Sequence, residues 1–509
     1  MHSARPALKA APVIGLLWLA MLACELSNPT PAAWSLTPTA LARSGTATAL
    51  AATISAAGTH EQIPTSPPFL APAAATPTSA SLASFGPWLL YPSPDAQALI
   101  IRNPDGTSPV RFDIPRLTDR VDLQDGAAPR GGLLAFRAGN LQDEQGPGLY
   151  LLDIPQQKVT RIAPLLSAAL LKSARTATGG SATETALAVQ GPHTLSWSPD
   201  SRYLAFIAAI DGISADLYVY DHRLKKVTRL TTGSNQAATP SWSPNNAWII
   251  TQEYDYTAST TGLRVAAVWA TSISSELTIK IYTPPAESVG EVIAGWVSDN
   301  TLVSYSLNKQ AGFNLRRVDV EHLRVSDILP GSLSAAVVDP KTNTLAVSFA
   351  AAGSAQNEYA PGLVLISGGG QDIHLVRLGV WSGLRWLPDA QRFSAQSVEG
   401  ILFTDVGGKY IVESRDRQAA PAPNNTWLVG YGSQPGTPGP GVRLYQMGGE
   451  LLQTVSADPA ELVLWQPDSL GFFYLGPGGL FHVPFPGLKP EQIDMAPASQ
   501  PALFWIPGP

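Results

Sequence analysis

Histidine is the side chain best suited to acid–base or metal chemistry near neutral pH, and the histidines of this chain are scattered. Beyond His2, no two of them stand four residues apart, as metal ligands on one helix would. They are His60, His193, His222, His322, His374 and His482. We therefore expect no metal site and no cofactor, and we interpret each histidine as a surface or core residue.

The sequence also lacks the short motifs of nucleophilic catalysis and phosphate binding. It contains no Gly-x-Ser-x-Gly turn, which exposes the serine of many hydrolases, and no phosphate-binding loop. The net charge is −6 and only 14% of the residues are charged, without a basic stripe, which excludes nucleic acid as a partner. We expect no catalytic residue that a local motif could identify.

A four-residue motif recurs along the chain and must be positioned by regular structure. It first appears at Trp197–Asp200 as Trp-Ser-Pro-Asp, where proline fixes φ and the serine and aspartate can bond their own backbone in a tight turn. The residues that define its copies are Trp197, Pro199, Asp200, Trp242, Pro244, Trp296, Asp299, Trp386, Pro388, Asp389, Trp465, Pro467 and Asp468, with a weak copy at Val338–Lys341.

The spacing of these copies predicts the fold. The copies that start at 197, 242, 296, 338 and 386 lie 45, 54, 42 and 48 residues apart, and each interval carries further strand-like runs. Units of about 40–50 residues with four strands are typical of propeller blades. The sequence therefore predicts an all-β propeller of four-stranded antiparallel blades. Nine candidate units can be counted, but common propellers contain fewer, so we favour eight blades and then seven.

These units resemble the TolB-like, or WD-repeat-like, family of bacterial propeller repeats. The resemblance is carried by the repeated Trp-Ser-Pro-Asp turn and by matching second strands, Leu133–Phe136 and Tyr203–Phe206, and it covers residues 86–509. It implies a toroid of blades that acts as a binding platform in the cell envelope. The final run at 502–505 could complete a blade that begins at residue 86.

The amino terminus has the pattern of a bacterial export signal. A basic segment precedes an apolar run from Ala10 to Ala23, which has the length of a signal-peptide core and is short for a membrane span. The run ends in Met-Leu-Ala-Cys, and Cys24 is the only cysteine of the chain. This ending resembles a lipobox, although Met21 departs from the usual Leu, Val or Ile. The resemblance implies cleavage before Cys24 and a lipid on its sulfur; the alternative is an ordinary secretory signal.

We expect three segments: a signal peptide at 1–23, a tether at 24–85 and the propeller at 86–509. The tether is rich in Ala, Ser, Thr and Pro and poor in large apolar residues. Ordering it would cost more conformational entropy than burial returns, so we expect it to be disordered. A tether of this composition could hold the propeller away from a bilayer.

The repeated tryptophans could be interpreted as a ring of aromatic ligand contacts. Their fixed place directly before each turn instead favours packing between adjacent blades, because the blade itself imposes a position that repeats. We therefore assign them to the structure and not to a binding site.

Long connections should gather on one face of the disc. Loops between the second and third strands of a blade share a face with loops between blades, and the segments 139–147, 253–263, 352–361, 432–441 and 164–191 are of these two kinds. Their acidic and tyrosine residues would suit recognition: Asp143, Glu144, Glu253, Tyr254, Asp255, Tyr256, Glu358 and Tyr359. The alternative is that these segments are tolerated surface insertions.

The leading hypothesis is a monomeric, lipid-anchored binding module of a bacterial cell envelope, outside the cytoplasm, with a protein or polymer as its partner. The alternative is an envelope hydrolase or lyase with its site in the central channel. A cluster of carboxylates and histidines at the channel mouth would favour the enzyme, and its absence would favour the binding module.

Overall fold

The computed structural model describes most of residues 81–509, and every structural statement below concerns those residues. It leaves out 119–122, 178–179, 256–263, 287, 308–311, 340, 350–360, 368–371, 388–391, 406–409, 415, 417, 433–440 and 496–501. The predicted signal peptide, Cys24 and most of the tether lie outside the described residues, as do Tyr256, Glu358, Tyr359, Pro388 and Asp389. In the part of the chain that is described, no helix is long and apolar enough to cross a bilayer.

The chain forms a ring of antiparallel sheets, which are the blades. Blade one contains β1 (Trp88–Pro92), β2 (Ala98–Arg102), β3 (Val110–Asp113) and the last strand, β34 (Phe504–Ile506). Blade two follows a 3-10 helix (Leu123–Gly126) and contains β4 (Leu133–Ala138), β5 (Gly148–Asp153) and β6 (Lys158–Pro164). Blade three contains β7 (Leu195–Trp197), β8 (Tyr203–Ala208), β9 (Asp216–Asp221) and β10 (Lys226–Arg229). Blade four contains β11 (Gln236–Trp242), β12 (Trp248–Asp255), β13 (Arg264–Ser272) and β14 (Thr278–Tyr282).

Blades five and six share one strand and therefore one continuous sheet. Their strands are β15 (Gly290–Trp296), β16 (Thr301–Leu307), β17 (Gly312–Asp319), the shared β18 (Arg324–Asp339), β19 (Thr344–Phe349), β20 (Gly362–Ser367) and β21 (Asp372–Leu378). Blade seven contains β22 (Ser382–Trp386), β23 (Arg392–Gln396), β24 (Ile401–Asp405) and β25 (Tyr410–Ser414). Blade eight contains β26 (Gln418–Pro421), β27 (Trp427–Tyr431), β28 (Val442–Gln446) and β29 (Leu451–Ser456). Blade nine contains β30 (Leu462–Trp465), β31 (Gly471–Gly476), β32 (Gly479–Pro484) and β33 (Glu491–Asp494).

The all-β propeller is confirmed, but the favoured count of eight blades was wrong, since the described residues form nine. One boundary between blades lies inside β18, a strand of 16 residues whose first part pairs with β17 and whose second part pairs with β19. The final run does complete the first blade, with Trp88 opposite Ile506 in the pairing of β1 with β34. The ring is thus closed by its two ends.

Two side-chain oxygens shape the Trp-Ser-Pro-Asp turn. Ser198 Oγ donates to Asp200 Oδ1 at 2.6 Å and accepts the backbone N–H of Tyr203 at 2.9 Å. In blade four, Ser243 donates in the same way to Asn245 at 2.7 Å. The turn between the first two strands of these blades is therefore fixed by a local motif, which explains why the sequence reveals it.

The tryptophan before each turn joins its blade to the preceding one. Trp197 is buried, and its Nε1–H donates to the backbone oxygen of Gly126 in blade two, 2.8 Å away. Trp242 makes the equivalent bond to the oxygen of Ser196 at 2.9 Å. The same donor reaches the preceding blade from Trp296, Trp386 and Trp465. These indole N–H groups donate to atoms of the preceding blade and are therefore not available to a ligand.

Candidate binding face

The order of the strands places the connections of the chain on two opposite faces of the ring. The loop face carries the connections between second and third strands and between blades; the turn face carries the other hairpin turns. Gly508, after the last strand, accepts the backbone N–H of Gly131 in the first turn of blade two at 2.9 Å. A Cβ on Gly86 would lie 2.9 Å from Gly508, so the chain enters blade one beside the point where it ends. Both ends of the ring therefore lie on the turn face.

The insertion between blades two and three folds into two helices on the loop face, α1 (Ala168–Thr176) and α2 (Ser181–Val189). Ser167 caps α1 by accepting the N–H of Leu170 at 3.2 Å, and its own N–H donates to the oxygen of Ala209 at 2.7 Å. Leu170 is buried in the core that blades two and three share. The insertion is therefore packed on the ring as part of its structure.

Arg175 of α1 fastens the insertion to the neighbouring loop of blade two. Its Nε donates to the backbone oxygen of Leu141 at 2.6 Å, and its Nη2 donates to that of Glu144 at 3.3 Å. Because these bonds end on backbone atoms, they fix the path of the loop without engaging its side chains. Residues 139–147 and 164–191 together are named the ridge below.

The ridge contains two of the predicted recognition residues, Asp143 and Glu144. The carboxylate of Asp143 accepts the backbone N–H of Asn140 at 2.7 Å and its side-chain amide at 2.8 Å, so it closes its own loop. Glu144 is exposed, and its carboxylate makes no hydrogen bond or ion pair within the described residues. Of the two, Glu144 is the side chain available to a partner.

Helix α2 fixes the next loop, which joins the second and third strands of blade three. Thr185 Oγ1 donates to the backbone oxygen of Ile213 at 2.8 Å. The side chain of Ile213 is nevertheless 76% exposed. A large aliphatic side chain held out to solvent on a fixed backbone is suited to contact with another macromolecule.

Glu253, Tyr254 and Asp255 lie in β12, so the expectation of an exposed loop from residue 253 was wrong at its start. Tyr254 is only 8% exposed, and its hydroxyl donates to Gln252 Oε1 at 2.9 Å. Glu253 accepts the Nε1–H of Trp269 at 2.6 Å. The strand is prolonged because it pairs with β13 along its whole length. The side chains of Glu253 and Tyr254 therefore form hydrogen bonds within blade four.

Blades four and five are joined by a buried polar network that could not be predicted from the sequence. The side chain of Glu291 is fully enclosed and accepts Arg316 Nη1 at 3.0 Å, Ser306 Oγ at 2.7 Å and the hydroxyl of Tyr282. Burial and the neighbouring Glu291 carboxylate raise the pKa of Tyr282 well above its ordinary value, so the hydroxyl remains a donor. The carboxylate is surrounded by protein donors, and the network joins the two blades.

Two further carboxylate, arginine and tyrosine groups occupy other seams of the ring. They are Asp416, Arg443 and Tyr445 at blades seven and eight, and Asp494, Arg102 and Tyr91 at blades nine and one. In both groups burial, followed by the hydrogen bond to the carboxylate, raises the pKa of the tyrosine. The hydroxyl therefore donates to the carboxylate at all ordinary pH values, as it does in the first network.

One histidine–carboxylate pair lies on the loop face beside the inner strands. His193 Nδ1 is 2.6 Å from Asp125 Oδ2, and both side chains reach solvent. His193 stands two residues before β7, and Asp125 lies in the 3-10 helix that precedes the first turn of blade two. A carboxylate can orient an imidazole for proton transfer. Among the described residues, no three His, Cys, Asp or Glu side chains come together as metal ligands would.

The chain is similar to several solved structures at low identity. An oligogalacturonate lyase in complex with manganese is 16% identical over 62% of this chain and 88% of its own, with a TM-score of 0.36. Dipeptidyl peptidase 4 of Porphyromonas gingivalis is 14% identical over 76% and 64%, with a TM-score of 0.44. TolB from Acinetobacter baumannii is 14% identical over 58% and 64%, with a TM-score of 0.29. No family profile and no curated protein matches the sequence.

These likenesses assign no family, and the β-propeller is shown by the sheets of the chain itself. Propellers serve many unrelated functions, so the role of this chain must be argued from its own side chains.

Proposed function

We propose that this propeller is a binding platform of a bacterial cell envelope that engages a protein or polymer partner through its loop face. In this proposal the blades are TolB-like repeats, and a lipid on Cys24 attaches the chain to a membrane through the tether. The observation that supports a binding role is the ridge, whose backbone is fixed while side chains such as Glu144 remain exposed.

A fixed backbone matters because binding costs free energy for every group that must be ordered. Loops that are already held lose little conformational entropy when a partner arrives, so more of the contact energy appears as affinity. Arg175 and Thr185 hold the ridge and the Ile213 loop through backbone oxygens. The two ends of the ring lie on the turn face, opposite the connections that would bind the partner.

Site-specific photo-crosslinking in the source cells tests the platform. A crosslinking residue placed at Glu144 or Ile213 should give a discrete product with one partner. The matched control is Lys341, an exposed residue in a hairpin turn of the turn face. Crosslinks from Lys341 with none from the two loop-face positions would contradict the proposal.

Lipid attachment is tested separately by mass spectrometry of the amino-terminal peptide. In a bacterial host the peptide should begin at Cys24 with an added diacylglyceryl mass, and the protein should partition into detergent. Cys24→Ser should abolish both properties. Unchanged partition of Cys24→Ser into detergent would contradict a lipid anchor at this residue.

The second candidate is an envelope hydrolase or lyase, and the observation that favours it is the pair of His193 with Asp125 at 2.6 Å. If this pair transfers protons to a polymer substrate, His193→Ala should remove hydrolysis or lyase activity and leave folding intact. Activity that survives His193→Ala would remove the only support for this candidate.

A further inference from the structure

The turn face carries an exposed leucine on each of three consecutive blades. Leu224, Leu277 and Leu323 lie in the turns between third and fourth strands of blades three, four and five, and are 65%, 50% and 46% exposed. Each stands within one residue of a left-handed position, namely Lys225 at φ 55°, Glu276 at φ 52° and Leu323 itself at φ 53°. The three turns are equivalent in neighbouring blades, and each presents an apolar side chain before, after or at its left-handed position.

Single exposed leucines are common on protein surfaces and need no explanation. Three in equivalent turns of consecutive blades differ, because the ring sets these turns next to one another along one rim. A flat surface can touch all three together, whereas burial in a small protein pocket would require them to converge.

Cations surround the leucine of blade three. Arg223, Lys225 and Lys226 are exposed, and within the described residues none of them forms an ion pair with a carboxylate. Asp221, the carboxylate of this turn, is buried and accepts Arg202 Nη2 at 3.1 Å. The turn is therefore positive on a chain whose net charge is −6.

The neighbouring turns do not extend this charge. Lys158 begins the fourth strand of blade two and is exposed, but it lies opposite Asp153 at the other end of that turn. Arg324 follows the leucine of blade five, but the exposed Glu276 and Glu321 share the turns of blades four and five. The positive charge is thus centred on blade three.

We propose that this rim, defined by Leu224, Leu277 and Leu323, docks on the surface of an anionic lipid bilayer. Apolar tips can enter the boundary between headgroups and acyl chains, and adjacent cations are attracted to anionic headgroups. The chain also enters blade one on the turn face. This second surface goes beyond the proposed partner-binding role of the loop face, and it does not require a lipid on Cys24.

A single fluorescent reporter can show which face touches lipid. Cys24 is the only cysteine, so Cys24→Ser gives the whole chain a background free of thiols. Leu224→Cys, Leu277→Cys and Leu323→Cys would each carry one environment-sensitive dye, with Ile213→Cys and Val398→Cys as exposed aliphatic controls on the loop face. The probes are vesicles of phosphatidylglycerol with phosphatidylethanolamine, and vesicles of phosphatidylcholine alone.

The three turn-face dyes should shift to the blue on anionic vesicles and not on phosphatidylcholine, and added salt should reverse the shift. Arg223→Gln with Lys225→Gln and Lys226→Gln should raise the anionic lipid needed by about five-fold for each cation removed. Lys172→Gln on the loop face is the charge control.

No shift at the leucines, equal shifts on both faces, or an unaffected triple variant would each overturn the proposal. If the protein bound a soluble polyanion and the leucine dyes showed no blue shift on vesicles, the cations would serve a ligand other than the bilayer. That result would also overturn the proposal.

Discussion

Trp197 of blade three and Gly126 of blade two are joined by a hydrogen bond of 2.8 Å from the indole Nε1 to the backbone oxygen. The indole is only 6% exposed, and its ring also meets the edge of His222, with ring centres 6.4 Å apart. Because the motif repeats, most seams of the ring receive a similar bond. The repeated tryptophan therefore stabilises the contact between adjacent blades.

Replacing Trp197 by alanine should remove both the packing and the bond. A large-to-small change of a buried aromatic costs about 3–5 kcal/mol, out of a total stability of about 5–15 kcal/mol. Trp197→Phe should cost less, because it keeps most of the packing and loses the hydrogen bond. Urea unfolding of both variants beside the parent measures the difference, and a Trp197→Ala midpoint equal to that of the parent would show that the seam does not depend on this residue.

Much of the fold follows from local chemistry that a sequence displays. Ser198 and Asp200 shape their turn within a few residues, so each copy can be recognised on its own. The count of blades depends on features that are not local. Blade two has only a bridge from Ala127 to Leu134 in place of an inner strand, and β18 serves two blades without a turn between them.

Arg316 should be more costly to remove alone than together with Glu291. Arg316→Met leaves a buried carboxylate without its cation, which costs about 3–5 kcal/mol. In Arg316→Met with Glu291→Leu no charge remains buried, so much of that loss should return. A double-mutant cycle from urea melts measures the coupling, and strictly additive losses would mean that the pair at 3.0 Å is energetically unimportant.

Gly430 should not tolerate a side chain, because a Cβ there would overlap the buried carboxylate of Asp416. Overpacking of this kind costs about 1–3 kcal/mol. Gly448→Ala is the matched control, since a Cβ at that position meets open space. Thermal melts should separate the two alanine variants, and equal melting temperatures would show that the Asp416 site can relax.

Acidification should weaken the fold through His482, which is buried and stacks on Phe473 with ring centres 4.7 Å apart. Burial lowers the pKa of His482 below its ordinary value, so the unfolded chain takes up a proton first as the pH falls below about 6.5. Stability is then lost at up to about 1.4 kcal/mol per pH unit for one histidine.

The test compares urea midpoints at neutral and mildly acidic pH for the parent and His482→Phe, which keeps the stacked ring. The variant should lose less stability on acidification. His374→Gln, at an exposed histidine, is the control for simple loss of an imidazole. Parallel pH profiles for the parent and His482→Phe would rule out this residue as the source.

The candidate site was less predictable than the fold because its contacts join distant parts of the chain. Glu253 and Tyr254 were expected to begin the loop after the second strand of their blade, but both pair with β13 and lie in a strand. Glu291 meets Arg316 only after two blades have packed together, so no spacing in the sequence marks them as partners. The segments of the ridge could be predicted as long connections. The hydrogen bonds by which Arg175 holds them together could not be predicted from the sequence.

The affinity of the crosslinked partner for variants of the loop face tests the central proposal most directly. Glu144→Arg and Ile213→Asp alter exposed side chains on a fixed backbone, and Lys341→Glu on the turn face is the control. We expect each loop-face change to weaken binding by about tenfold or more, as interface hot spots do, while Lys341→Glu binds like the parent. Parent-like affinity in both loop-face variants, or a loss confined to Lys341→Glu, would contradict the proposal that this protein binds its partner through the loop face.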